Sequence, residues 1–179
     1  MRYNLSNSEQ VSRCCMQKFK TIHARALKRK GDEKQLKRFL PKAVSTKKLA
    51  KVTDDRCLSE MSRCVFQAGF VWRVVNKKWP DFEKVFFGFA PEKLVLLSPE
   101  QIENIGKNPA IIRNMQKIIS VQKNAQMILD QAKEHGSFAG LLSQWPADDQ
   151  INLFKYLKQR GCRLGGATGP RALRNLGYA

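Results

Sequence analysis

Residues 98–129, SPEQIENIGKNPAIIRNMQKIISVQKNAQMIL, decide the reading of the fold. Ser98, Pro99 and Gln101 form a helix start: a capping hydroxyl, a proline at the first helical position, and an amide placed to close a capping box. A short helix is expected to about Ile105. Gly106, Asn108 and Pro109 are turn formers, after which Ile112, Met115, Ile118, Ile119, Gln122, Ala125, Ile128 and Leu129 recur at mostly helical spacing. The stretch therefore predicts two amphipathic helices joined by a tight turn. Backbone N–H groups at a turn leading into a helix N-terminus suit a phosphate, and Lys107 and Arg113 would add charge. The competing reading is an ordinary helical packing unit.

Composition favours an anionic partner. The chain has 179 residues, 42% of them hydrophobic and 27% charged, which is globular composition, and its formal net charge is +18. A field of that sign points to a polyanion, with nucleic acid first among candidates. No apolar run reaches the length of a membrane span, and the polar MRYNLSNSEQ start lacks the apolar core of a signal peptide. A cytoplasmic protein without a membrane partner is expected, with its five cysteines reduced. Cys14, Cys15 and His23 share an early helix without a CxxC or HxxxH pair, and His135 is the only other histidine, so neither metal nor cofactor is expected.

The charge is concentrated at the front: residues 1–53 hold 15 Lys/Arg against 3 Asp/Glu. Val11, Cys15, Phe19, Ile22 and Ala26 fall on one face of a helix that Gly31 ends, so this is a folded basic segment. Lys28, Arg29 and Lys30 at its end either relieve the helix dipole or contact phosphate. Phe39-Leu40-Pro41 closes a second short helix, and 42–53 is a basic connector. The domain division is accordingly 1–53 and 54–179, the second containing the hairpin.

Asp54 or Asp55 caps the next helix, read as one long element that Pro80 terminates. Leu58, Met61, Val65, Ala68, Gly69, Trp72 and Val75 make its buried stripe; Glu60, Cys64, Gln67 and Val71 form a second stripe beside it. Polar groups there must be paired or line a cavity. Phe82, Val85, Phe86, Phe87 and Phe89 read as core packing. Gly136 ends the long hairpin helix, Ser137 caps another through Trp145, and Ile151, Leu153, Phe154 and Leu157 mark one more. The glycine-rich 163–170 reads as a connector into a last short helix, and no strand pattern occurs.

At 66–72, FQAGFVW, the chain resembles the helical signature of the DNA-3-methyladenine glycosylase I family. Ile111-Ile112-Arg113-Asn114 with Lys117-Ile118 is similar to that family's hairpin exit and Asn124-Ala125 to its following helix. Lys158-Gln159-Arg160-Gly161 with Gly166-Ala167-Thr168 looks like its C-terminal lobe. The resemblance implies an all-α helix-hairpin-helix DNA glycosylase fold, two helical lobes with a pocket between them. The implied activity is release of an alkylated, 3-methyladenine-like purine from double-stranded DNA, by hydrolysis of the N-glycosidic bond after base flipping. A monomer is expected. Trp72 matches the family's pocket tryptophan, with Cys64 and Phe66 beside it; Lys107, Arg113, Asn114 and Lys117 are the DNA-binding candidates, and Glu60 and Gln67 the catalytic ones.

The family's pocket carboxylate falls here on Cys64, which cannot serve as a carboxylate acceptor. Glu60, one turn earlier on the same face, is the candidate substitute; otherwise it pairs with Arg56 or Arg63 on a solvated face. The family's zinc-binding residues have no counterpart in this chain. Two other classes compete with an enzyme: an inert relative that binds damaged DNA, motivated by Cys64, and a basic RNA-binding protein, which the lack of an aromatic RNA-binding strand demotes.

Overall fold

A computed structural model describes residues 17–39 and 44–178, and among these every regular element is helical. The chain divides into two units, Met1–Pro41 and Lys42–Ala179. In the first, α1 (Phe19–Lys30) ends at Gly31 as the sequence requires, and α2 (Glu33–Phe39) follows. His23 joins the two helices by pairing with Glu33 at 3.0 Å. Phe19 and Ile22 of the predicted apolar face are exposed, while Val11, Cys14 and Cys15 lie outside the described residues.

The second unit begins at Lys42 rather than at residue 54, because the connector packs with the core. Its helix α3 (Thr46–Leu49) buries Leu49, and the Val44 N–H donates to the Gly177 carbonyl at 3.0 Å. The segment read as one helix is two, α4 (Asp54–Gln67) and α5 (Trp72–Val85). Gly69 takes φ +74° between them, a left-handed conformation that ends the first helix, and Pro80 lies inside α5 instead of closing it. Ala68, Gly69 and Trp72 consequently leave the expected buried stripe for the surface.

Helix α4 is the axis of this unit. Cys57, Leu58, Met61, Cys64, Val65 and Phe66 are all buried, so the helix is covered over most of its surface, with Arg56 and Arg63 at its open edge, and Ser59, Glu60, Ser62 and Gln67 are carried inside. A 3₁₀ turn (Phe87–Phe89) and α6 (Pro91–Leu94) lead to the hairpin. The aromatic patch is core, as expected for Phe82, Phe86 and Phe89, whereas Phe87 is exposed. Trp79 stacks on Phe82 and Phe89 with ring centroids 5.0 and 5.3 Å away.

Glu83 on α5 ties these helices together. It accepts two hydrogen bonds from Arg56 at 3.2 and 3.0 Å, one from Ser59 at 2.6 Å and one from Trp79 at 3.1 Å. Burial alone would push its carboxyl up, but the Arg56, Ser59 and Trp79 contacts outweigh burial and hold it below the ordinary glutamate range. A depressed folded-state pKa stabilises above the unfolded value and is lost as pH falls through the folded one. Glu83→Gln is therefore expected to cost about 1–3 kcal/mol at neutral pH and to flatten the acid decline in stability. Urea melts of both proteins from neutral pH down to about pH 3 read this directly.

The hairpin forms from α7 (Pro99–Lys107) and α8 (Met115–His135). The capping box is present: Ser98 Oγ accepts from the Gln101 N–H at 3.2 Å, and Gln101 Oε1 from the Ser98 N–H at 2.8 Å. Gly106 is helical rather than part of the turn. A Cβ there would lie 2.8 Å from Met115 Cε, the flexible end of the side chain that opens α8. The connection is longer than expected and holds Ile112, since α8 starts only after Asn114, whose side chain accepts from the Lys117 N–H at 3.1 Å. Gln122 faces inward and donates to the Leu94 and Leu97 carbonyls at 3.1 and 2.8 Å. Ser137 caps α9 (Phe138–Gln144) as predicted, followed by α10 (Gln150–Arg160) and α11 (Thr168–Leu176).

Candidate functional site

The α4–α5 break makes the site. Once Gly69 turns the chain, Trp72 becomes the first residue of α5, and its indole is 51% exposed instead of buried. A half-open indole at a helix start offers a flat apolar face with one side anchored. Gln67, the last residue of α4, spans the break by donating from Nε2 to Asn76 Oδ1 at 2.9 Å. Its contribution is to hold this turn in shape.

Glu60 and Cys64 lie one turn apart on the same α4 face. Glu60 is only 8% exposed, so it is not on a solvated surface. It nonetheless pairs with Arg63, as the packing alternative required, and its other oxygen accepts from Asn175 Nδ2 at 2.7 Å. The Cys64 thiol points at that same oxygen at 3.6 Å. Burial pushes the Cys64 thiol up, the Arg171 contacts oppose this, and the Glu60 carboxylate adds to it, so the sulfur keeps its proton and donates. Phe66 is fully buried edge-on against Phe82 at 4.6 Å, which makes it core behind the site and not part of its lining.

Two residues of α11 complete the wall, and the sequence reading missed both. Arg171 lays its guanidinium over the Trp72 ring, 4.6 Å from the centroid, and donates to the Cys64 carbonyl at 2.6 Å. Asn175 follows one turn later with its bond to Glu60. The available signal was their i, i+4 spacing beside Ala172 and Leu173, which puts both at the edge of the buried face of an amphipathic helix.

The DNA-binding candidates divide. Lys107 is exposed and paired with Glu103 at 2.8 Å, and Arg113 is exposed at the turn with no ion pair among the described residues. Asn114 is spent as the α8 cap. Lys117 is 4% exposed, and its ammonium donates to the Phe66 and Ala68 carbonyls at 3.1 and 2.6 Å, 4.4 Å from the Phe70 ring. Burial, with the Arg163 charge second, holds it below the ordinary lysine range. Lys117 thus closes the C-terminal end of α4 and is not on a face a phosphate would reach. Lys78, which the sequence reading passed over, donates to the Pro109 and Ala110 carbonyls at 3.0 Å each and so fixes the hairpin turn.

Among the described residues no group of three His, Cys, Asp or Glu side chains could hold a metal ion, and no helix is long and apolar enough to cross a membrane.

An all-helical body with a hairpin and a half-exposed indole beside a polar wall is the build of the helical DNA glycosylases. The comparisons narrow this. A family model described as methyladenine glycosylase matches residues 49–163. The chain is 29% identical to DNA-3-methyladenine glycosylase 1 of Escherichia coli (strain K12), over 65% of this chain and 72% of that protein. Its fold is similar to a glutamate-to-glutamine mutant of 3-methyladenine DNA glycosylase I from Staphylococcus aureus, with TM-score 0.62, 25% identity, and 70% and 78% of the two chains covered. A second crystal structure of a 3-methyladenine DNA glycosylase I gives TM-score 0.60 at 26% identity, covering 71% and 81%. The chain belongs to the methyladenine glycosylase family, DNA repair N-glycosylases.

Proposed function

We propose that this protein releases alkylated, 3-methyladenine-like purines from double-stranded DNA, acting as a cytoplasmic monomer. The observation that carries the reading is the half-exposed Trp72 indole, held at the head of α5 beside a polar wall made by the buried Glu60 and Cys64 of α4 with Arg171 and Asn175 of α11. A flipped base needs such a stacking surface, worth about 1–3 kcal/mol per base. In the reaction the C1′–N bond breaks with its electron pair leaving on the base; water bonds to C1′ and releases a proton. An N3-alkylated adenine carries a positive charge in DNA and departs neutral, so little acid assistance is required. Glu60 is the wall's carboxylate and would stabilise the positive charge that develops on the sugar.

A second reading is that the chain binds damaged DNA without hydrolysing it. Arg171 favours this, because its guanidinium covers one face of the stacking indole. Release of free base from methylated duplex, with unmethylated duplex as control, separates the two. Release of 3-methyladenine supports the hydrolase, and its absence at high enzyme concentration leaves the binder.

On either reading the +18 net charge makes DNA affinity salt-dependent. Changing Lys107 and Arg113 together to alanine is expected to flatten the slope of log affinity against log salt by about 1–2, the lower figure applying if Glu103 already neutralises Lys107. An unchanged slope would return the hairpin to the status of a packing element.

A further inference from the structure

The N-terminal unit carries a charge that its own residues do not balance. Residues 17–39 hold nine Lys/Arg against Asp32 and Glu33, whereas residues 42–179 hold 22 against 12. Both acids are engaged: Asp32 caps α2 by accepting from the Gln35 N–H at 2.7 Å, and Glu33 pairs with His23. Packing is thin as well. Helix α1 buries no residue, and Leu36 on α2 is the one buried side chain among the described residues of this unit. A short helix with so little core is marginal by itself, and repulsion among its cations weakens it further. A bound polyanion would remove that repulsion.

The cations have an order. Arg25 follows Lys18 by seven positions, and Lys28 and Arg29 follow Arg25 by three and four, which gathers all four on one side of α1. His23 turns the other way to meet Glu33 of α2, and Ala26 and Leu27 are shielded with it. No ion pair among the described residues holds any of the four, and Arg25 makes a neutral contact, donating to Gln17 Oε1 at 2.9 Å. Relief of the helix dipole explains cations in the last turn, Lys28 and Arg29. It does not explain Lys18 at the N-terminal end, where the dipole opposes a cation and the first turn has no acid. The face spans about 16 Å of helix axis, against a duplex that carries one negative charge per about 1.7 Å. A membrane surface fits less well: Ile22 lies in line with Lys18 and Arg29, so no unbroken apolar stripe runs along α1.

Resting on the reading that this protein acts on duplex DNA, we propose that the N-terminal unit is an accessory DNA anchor, in which the Lys18, Arg25, Lys28 and Arg29 face of α1 holds backbone phosphates irrespective of sequence or damage. It lies outside residues 49–163, which the family model matches. Phosphate contacts of this kind raise affinity and carry no base readout. They act on how firmly the protein holds DNA and leave the bond-breaking step to the second unit.

The test uses the full chain. One variant combines Arg25→Gln, Lys28→Gln and Arg29→Gln on α1; a control combines Lys93→Gln, Lys133→Gln and Lys155→Gln at exposed helix positions of the second unit, so both lose the same net charge. Dissociation constants for undamaged duplex are measured over a range of salt, with melting curves to confirm folding. The α1 triple is expected to lower the slope of log affinity against log salt by about 2–3, and the control by less than about 1. Arg25→Gln and Arg29→Gln singly should each remove about 0.9, so the decision stands even if the triple unfolds. Single-turnover base release at saturating enzyme should stay within about twofold of the wild type, while efficiency below saturation falls by about tenfold or more. Equal slopes for the two triples overturn the proposal, because the field of the whole protein would then account for the binding. Loss of affinity for phosphatidylserine vesicles or for an RNA hairpin, with duplex affinity intact, overturns it too. A wild type that releases no base while the slope difference holds sinks the hydrolase reading and leaves the anchor standing.

Discussion

Trp72→Ala is expected to lower base release by about 10- to 100-fold in kcat/KM while leaving affinity for undamaged duplex nearly unchanged. The asymmetry follows from position. The indole is half exposed, so its removal opens no large cavity and costs little stability, yet it supplies the flat surface beside the α4 wall. Removing it also releases Arg171 from its stacked position, which leaves the guanidinium free to move within the site. Trp72→Phe should recover part of the loss, since a smaller ring still stacks. Single-turnover release of free base, alongside binding to unmodified duplex, provides both readouts. Full release by Trp72→Ala would mean that the base is held elsewhere.

Asn124→Ala is expected to destabilise the fold by about 2–4 kcal/mol, because it leaves two backbone groups without partners at once. Asn124 is completely buried on α8. Its side chain donates to the Cys162 carbonyl at 3.1 Å and accepts from the Cys162 N–H at 2.7 Å, clamping the start of the loop that leads from α10 into α11. That loop sets where Arg171 and Asn175 meet α4, so the loss should reach the site as well as the melting point. Asn124→Asp keeps the acceptor but not the donor, and should be destabilised by an amount distinguishable from the alanine variant. Chemical denaturation of the three proteins, with base release measured well below the midpoint, separates the two effects. Equal stability of Asn124→Ala and the wild type would show that the clamp is dispensable.

Local rules carried far in this chain. The all-α class, the capping box at Ser98 and Gln101, the Ser137 cap and the helix ends at Gly31 and Gly136 depend on interactions within a few residues, and the sequence states them openly. Family membership was legible for the same reason, since FQAGFVW and the hairpin exit are contiguous motifs. The candidate site was legible in part: Trp72 and the Glu60, Cys64 stripe were found, and Glu60 does face inward with Cys64.

Tertiary structure decided the rest. The sequence pattern runs through Gly69 without interruption, so apolar periodicity alone joined α4 to α5 and buried Trp72; the positive φ at Gly69 reverses that outcome. Lys117 reads as a surface cation by residue type, but carbonyls 51 and 49 positions away in the chain take its charge inside. Glu60 meets Asn175, and Trp72 meets Arg171, only because α11 packs on α4. Helical periodicity specifies which face of each helix turns inward, and that much one sequence determined. Which charged side chains then confront one another depends on the crossing of helices more than a hundred residues apart, a geometry fixed by packing and written in no local pattern.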